Sequence, residues 1–327
     1  MRPGRVTLER FLVDEWLPAK VSTLKPSTAS GYAQTISAYI APRIVALDLV
    51  KVDGGVLNAM YADLLANGRT GGCGRSVGLS ATTVRNVHGL LHKAFKDAVR
   101  WRRLTVNPCD AADQPRKNEP EMKVWTSEQL GRFIATTADD RLGDVWRLFS
   151  TTGMRRGEVL GLRWADVDLA GKRLTVRQVR TMTSSGVIVG TPKTKAGVRR
   201  MALDDGTVSA LKRWKRAQSE ERLVMGEGWQ GAEHDLVVTE HDGSPLHPKA
   251  LTRRFHSSTK RGGLPIIRLH DIRHSYATAA LAAGVPVKVL SQRLGHADVS
   301  MTLRVYAHVL PGDDEAAAAL VASVIGG

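Results

Sequence analysis

The sequence predicts a mainly α fold with a small antiparallel β-sheet, divided into a helical N-terminal domain and an α+β C-terminal domain. Apolar residues recur at 3–4 spacing through most of the chain, as they do in amphipathic helices. Alternating segments rich in β-branched residues are confined to 174–203, so strands are few and close in sequence. The stretch 111–121, AADQPRKNEPE, is polar and aperiodic, which marks a linker in a chain of 327 residues, longer than a typical single domain. The expected organisation is a helical domain over 1–110, a linker over 111–121, a second domain over 122–312 and a tail over 313–327.

Charge narrows the partner. Lys and Arg number 47 against 32 Asp and Glu, a formal net charge of +15 with a pI of about 10.1. Such an excess collects polyanions, and nucleic acid is the first to consider. No apolar run approaches the ~18 residues of a spanning helix, so the sequence offers a membrane nothing to hold. Aromatic residues are only 5% of the chain, which favours duplex-backbone contact over base stacking. Cys73 and Cys109 form no C-x-x-C pair, and the N-terminus lacks the apolar core of an export signal; a reducing cytoplasm is expected.

The first domain reads as four helices. Leu8, Phe11, Leu12, Trp16 and Leu17 give the first. The second follows Lys25-Pro26-Ser27, where a hydroxyl can cap, and shows Tyr32, Ile36, Tyr39 and Ile40 on one face. The third runs from Asp53 to Asn67-Gly68 with Val56, Met60, Leu64 and Leu65 inward. The fourth, capped by Ser80, buries Val84, Val87, Leu91, Ala94, Phe95 and Ala98. Its other face carries Arg85, His88, His92, Lys93, Lys96, Arg100, Arg102 and Arg103. A basic face is commonly just solvated, but in a chain of this charge Lys93, Lys96 and Arg100 become candidate DNA contacts.

The second domain opens on a capping box, Thr126-Ser127-Glu128-Gln129. Further on stands TGMRRGE, 152–158, followed by VLGLRWADVDL. Gly153 permits a tight turn. Arg155 falls near the first turn of the next helix, and Glu158, three residues on, can hold its guanidinium. Alone, R-x-x-E is most often a surface ion pair. Strands are expected at 174–179, 186–189 and 199–203. The turn between the last two holds Lys193 and Lys195, and lysines in such a turn are normally just solvated. Lys249, Arg253, Arg254, Lys260 and Arg261 make a further basic helix, with Arg253 and Arg254 as candidate DNA contacts.

The densest chemistry lies in 269–308. Leu269, Ile272, Tyr276, Ala279 and Ala280 set a helical stripe, leaving His270, Arg273 and His274 on the opposite flank. Gly284 and Pro286 separate this helix from the next, 287–294. Gly295 caps that one, with His296 just beyond it, and a third segment from Ser300 carries Tyr306. Imidazole and guanidinium groups can donate to phosphate oxygens, and a phenol can act as a nucleophile when its proton is drawn off. Three plainer readings stand beside this one. His270 and His274 at i, i+4 could be metal ligands, although no third ligand is evident. The two helices around Gly284 could be a helix-turn-helix, and the histidines could be ordinary exposed residues.

The block H-x-x-R, L-G-H and Y resembles the C-terminal box of the tyrosine recombinases, the integrase family of phages and mobile elements. TGMRRGE followed by LRWADVD resembles their N-terminal catalytic box, and Arg155 and His270 stand 115 residues apart in the family's order. The resemblance implies a helical core-binding domain followed by an α+β catalytic domain. It implies a catalytic set of Arg155, Lys193, His270, Arg273, His296 and Tyr306, supported by Glu158, with no metal or other cofactor. It implies cleavage and rejoining of DNA through a 3′-phosphotyrosyl intermediate and a Holliday junction. The partners implied are double-stranded DNA attachment sites, three further copies in a homotetramer that exchange their tails, and an accessory directionality factor, in a bacterial, nucleoid-associated setting. Many phage members carry an additional N-terminal domain for arm-type sites, for which the residues before the first helix leave no room. The competing functions are relaxation of DNA by a type IB topoisomerase and binding by a non-catalytic helix-turn-helix regulator.

Overall fold

The computed structural model describes residues 6–44, 46–70, 76–116, 122–183, 186–192, 194–306, 321–323 and 325. The chain divides into two compact units, 1–121 with 182–186 and 122–181 with 187–327. The fold is mostly helical with a small antiparallel sheet, as the sequence predicts. Among the described residues no helix is long and apolar enough to cross a membrane.

The first unit contains α1 (Leu17–Val21), α2 (Pro26–Thr35), α3 (Ala41–Ile44), α4 (Gly54–Asn67), β1 (Arg69–Thr70), β2 (Ser76–Val77) and α5 (Ala81–Arg100). A wide-turn segment, Arg10–Trp16, runs straight into α1, and another, Ile36–Ile40, joins α2 to α3. No hydroxyl caps α2. Pro26 is its first residue and Lys25 the extended cap, because the fixed φ of proline already suits that position. Asp53 caps α4 and accepts from the Val56 amide at 2.8 Å. The buried face of α4 differs from the expected one: Leu57 and Tyr61 lie inside with Met60 and Leu64, and Leu65 is 41% exposed. GGVLNAMYADLLAN is apolar almost all round, so periodicity could not select a face.

Ser80 caps α5 as expected, accepting from Thr83 at 3.2 Å, and all six predicted inward residues are buried. His88 departs from the expected basic face. It is buried, with Nδ1 3.0 Å from the Tyr61 hydroxyl. Asp97 is likewise buried, accepting from Trp16 Nε1 at 2.9 Å and pairing with Lys20 at 2.7 Å. Lys93, Lys96 and Arg100 remain exposed.

The second unit contains α6 (Ser127–Thr136), α7 (Gly143–Thr152), α8 (Arg156–Leu160), β3 (Val167–Asp168), β4 (Arg173–Val176), the first three residues of β5 (Val179–Thr183), most of β6 (Gly186–Gly190), β7 (Arg199–Ala202), α9 (Asp205–Met225), α10 (Pro248–Arg261), α11 (Asp271–Ala282), α12 (Val287–Leu294) and α13 (Val299–Tyr306). Both halves of the capping box at Thr126 and Gln129 form. Trp125, Phe133, Trp146, Phe149 and Phe255 fill the core, and the backbone amide of Trp125 donates to Ser275 Oγ at 2.8 Å, tying the start of the unit to α11.

The strands pair differently from the expected hairpin. β3, β4 and β7 form one antiparallel sheet in the order β3-β4-β7, and β5 pairs with β6 in a separate ribbon. β6 and β7 therefore belong to different sheets and are not the paired arms of one turn. The run read as one strand, 174–179, breaks at Arg177 and Gln178. There Arg177 pairs with Asp166 at 2.9 Å, and Gln178 Nε2 donates to the Gly161 carbonyl at 2.9 Å. Those side-chain bonds end β4 without disturbing the alternation that made the segment look continuous.

Candidate active site

Two helix ends build the centre of the site. α7 stops at Gly153 in the left-handed conformation, φ 62°, where a Cβ would come within 2.4 Å of the Tyr276 ring. α12 stops at Gly295, φ 66°, as the sequence predicts. Each ending leaves a backbone carbonyl without a helical partner, and both point at one side chain. Arg273 Nη1 donates to Gly153 O at 2.8 Å, and Nη2 donates to Leu294 O at 2.6 Å and to His296 Nε2 at 3.0 Å. Arg273 is 3% exposed, although its spacing on α11 suggested a polar flank. Burial and the positive charge of Arg155 pull its pKa down to about 9, with Glu158 opposing, so it stays charged at neutral pH. Among the described residues no carboxylate pairs with it.

Because Arg273 donates to Nε2 of His296, that nitrogen must carry the lone pair, and Nδ1–H then donates to Thr302 Oγ1 at 2.8 Å. Burial and the nearby arginines hold His296 near pKa 4, so the ring is neutral at pH 7.

Arg155 caps α8. Its Nη1 donates to Glu158 Oε1 at 2.9 Å, and its backbone amide donates to Oε2 at the same distance, the contact expected from R-x-x-E. Glu158 has a second partner that the sequence reading missed. Arg199, at the start of β7, donates to it through both Nη atoms at 3.1 and 2.8 Å, to Gly197 O at 3.1 Å, and through Nε to Arg293 O at 2.5 Å. Burial opposes ionisation of Glu158, but the bonds and charge of Arg199 and the Arg155 amide outweigh it, so the pKa lies below the ordinary glutamate value. One carboxylate thus faces three guanidiniums, those of Arg155, Arg199 and Arg273, leaving the cluster positive. The only earlier signal for Arg199 was its place in the doublet Arg199-Arg200 on an alternating strand, where it is the inward residue.

Tyr306 ends α13 and is 1% exposed, packed on Ala277, Leu281, Leu290 and Leu294. Burial pushes its pKa up to about 12, with Arg273 pulling the other way. Its hydroxyl lies 2.6 Å from Nδ1 of His274, whereas His270, the histidine of the implied catalytic set on this stretch, makes no such bond. His270 precedes α11 with an exposed ring, set edge-on to His274 at 5.1 Å between centroids. Desolvation on its inner side and the neighbouring His274, Arg273 and Arg155 bring its pKa to about 4. Among the described residues no group of three or more His, Cys, Asp or Glu could hold a metal ion.

The structure therefore brings Arg155, Glu158, His270, Arg273, His296 and Tyr306 into one centre. Lys193 lies outside the described residues, as do the Lys195 side chain and most of the tail. On α10, Arg253 is exposed, but Arg254 pairs with Glu240 at 2.6 Å and is less free than its spacing implied.

The sequence model of the phage integrase family matches residues 123–312, the whole of this site. The chain belongs to the phage integrase family. The ICEBs1 integrase of Bacillus subtilis (strain 168) is 33% identical over 238 residues, 72% of this chain and 63% of that relative, so the chain spans less than two thirds of its length. In fold, this integrase-family chain is similar to the Tn1549 transposon integrase in complex with a circular intermediate DNA, with a TM-score of 0.78 at 20% identity over 97% of this chain and 99% of that one. It is also similar to a lambda integrase tetramer bound to a Holliday junction, with a TM-score of 0.66 at 19% identity over 92% and 78%.

Proposed function

We propose that this integrase-family protein is a site-specific DNA recombinase that cleaves and rejoins DNA through a 3′-phosphotyrosyl intermediate. One observation carries the reading. A buried arginine, Arg273, held by two helix-end carbonyls and balanced by no carboxylate contact, lies in the same centre as a tyrosine hydroxyl. A positive seat beside a phenol suits a phosphodiester under attack.

In the reaction, the phenolic oxygen of Tyr306 bonds to phosphorus and the bond to the 5′-oxygen breaks. Arg155 and Arg273 donate to the non-bridging oxygens, where charge accumulates in the transition state. The phenolic proton passes to an imidazole and Lys193 protonates the leaving 5′-oxygen. His270, at the open side of the centre, can donate to the phosphate, and so can His296 once it leaves Arg273 and takes a proton on Nε2. Attack by a different 5′-hydroxyl reverses the step and joins new partners. Two such rounds pass through a four-way junction, the DNA in the lambda integrase tetramer structure. We assign residues 1–110 to core-site binding through Lys93, Lys96 and Arg100, the partners to double-stranded attachment sites, and the working form to a homotetramer closed by residues 313–327, with a directionality factor as accessory.

The test is a supercoiled plasmid bearing two copies of the attachment core, taken from the DNA bordering the gene. The reading expects rearranged circles whose junctions lie within the core. Relaxed but unrearranged plasmid would favour a topoisomerase, and binding without either product a regulator.

A further inference from the structure

We propose that His274, which the candidate catalytic set leaves out, is a further catalytic residue that accepts the hydrogen bond and then the proton of the Tyr306 hydroxyl and fixes its register against the phosphate seat. This rests on the reading of Tyr306 as the nucleophile. The two atoms are 2.6 Å apart and the rings 5.8 Å apart, between residues 32 positions apart in sequence. His274 directly follows Arg273 on α11, so one helix carries both the arginine facing the phosphate and the imidazole facing the attacking oxygen. A phenol anchored there keeps its distance to the arginine through the rigidity of that helix.

No other described residue takes this role. Arg273 is committed to Gly153 O, Leu294 O and His296, and His296 is committed to Arg273 and Thr302. The tyrosine ring is walled by aliphatic side chains, and among the described residues its hydroxyl makes one hydrogen bond, with His274. The groups acting on His274 are Asp271, Arg268 and Arg273, with His270 edge-on to its ring. Burial, Arg273 and Arg268 lower its pKa against Asp271, leaving a neutral ring with a lone pair. A phenol whose own pKa is raised keeps its proton and donates, so Nδ1 accepts and Nε2 carries the hydrogen. When the phenolic oxygen attacks phosphorus, its proton moves along this bond to Nδ1, and it returns by the same path when the strand is rejoined.

The test measures covalent adduct formation in single turnover on a nicked site whose 5′ fragment diffuses away, with DNA affinity measured separately. His274→Phe keeps the volume without the acceptor, and His274→Asn places an oxygen near the position of Nδ1. Phe is expected to bind DNA within about threefold of the parent protein and to cleave about 10²-fold more slowly, with Asn recovering at least about tenfold of that loss. Cleavage by the Phe variant within threefold of the parent, or equal loss in both variants, would overturn the proposal. Nitrogen-15 NMR of histidine in the unsubstituted protein reads the tautomer with no mutation. Nδ1 of His274 is expected to be the unprotonated, accepting nitrogen, and a protonated Nδ1 would also overturn it. Tyr306→Phe on the same nicked site keeps the two readings apart: an adduct there would sink the nucleophile assignment. Its absence alongside a fully active His274→Phe would sink only the present inference.

Discussion

Replacing Arg199 by methionine is expected to destabilise the second unit by about 3–5 kcal/mol, the usual loss when one partner of a buried ion pair is removed. The side chains of Arg199 and Glu158 are 6% and 1% exposed, so water cannot take the missing place. The substitution leaves Glu158 with only the Arg155 amide and one guanidinium nitrogen, and strips a donor from Gly197 O and from Arg293 O. For a unit of about 200 residues, at roughly 2–4 °C per kcal/mol, the midpoint should fall by about 6–20 °C. Tryptophan fluorescence follows it, because Trp125, Trp146 and Trp214 lie in this core. Adding Glu158→Leu should return most of the stability, since no charge is then stranded, giving a coupling of about 2 kcal/mol or more. Cleavage should stay low in the double variant, where Arg155 has lost the carboxylate that orients it. A loss below about 1 kcal/mol in Arg199→Met, or no coupling in the cycle, would refute this account of the Glu158 network.

Acid should weaken the same unit. His296 sits near pKa 4 when folded against an ordinary 6.5, so its contribution is complete above about 6.5 and is lost as pH falls towards 4. At about 1.4 kcal/mol per unit, and discounted for the open part of the ring, the loss is on the order of 2 kcal/mol. Glu158 adds to it below the ordinary glutamate range. The melting midpoint should hold between pH 7 and 8 and drop by pH 5, and a rise on acidification would contradict the sign. Lys193→Ala should cleave slowly on normal DNA yet recover with sulfur at the 5′-bridging position, since a thiolate leaves without a proton; equal impairment on both would move the acid role, with Lys195 tested next. Cleavage should persist in excess EDTA, while affinity should fall by roughly 10³ between 50 and 200 mM salt for six phosphate contacts. A nearly salt-independent affinity would argue against a phosphate-dominated interface.

What the sequence made legible depended on short-range chemistry. Gly153, Gly284 and Gly295 punctuate helices wherever they occur, and Asp53, Ser80 and Thr126 each cap the helix that begins at the next residue, so those boundaries could be read directly. Arg155, His270, Arg273, His296 and Tyr306, which lie together in the structure, could be singled out as candidates because two local motifs carry them. Long-range pairing was hidden. Nothing near Arg199 announces that its partner is Glu158, 41 positions earlier, and nothing near His274 announces Tyr306. Strand partners failed for the same reason, because alternation reports one buried face and says nothing of which strand lies beside it. The buried His88 and Asp97 show the converse case, in which polar residues on a basic helix face are drawn inward by Tyr61 and Trp16 from other helices.

The central claim is that Tyr306 forms the covalent link to DNA, and one comparison tests it most directly. Parent protein and Tyr306→Phe are incubated with end-labelled attachment-site DNA, denatured, and resolved by size, with binding measured in parallel. The phenylalanine variant loses one oxygen and keeps the ring that fills the pocket of Ala277, Leu281, Leu290 and Leu294, so its fold and DNA affinity should be nearly unchanged. The account predicts a denaturation-resistant protein–DNA band from the parent, linked through a 3′-phosphate, and none from Tyr306→Phe. A band of equal intensity from the variant would contradict it.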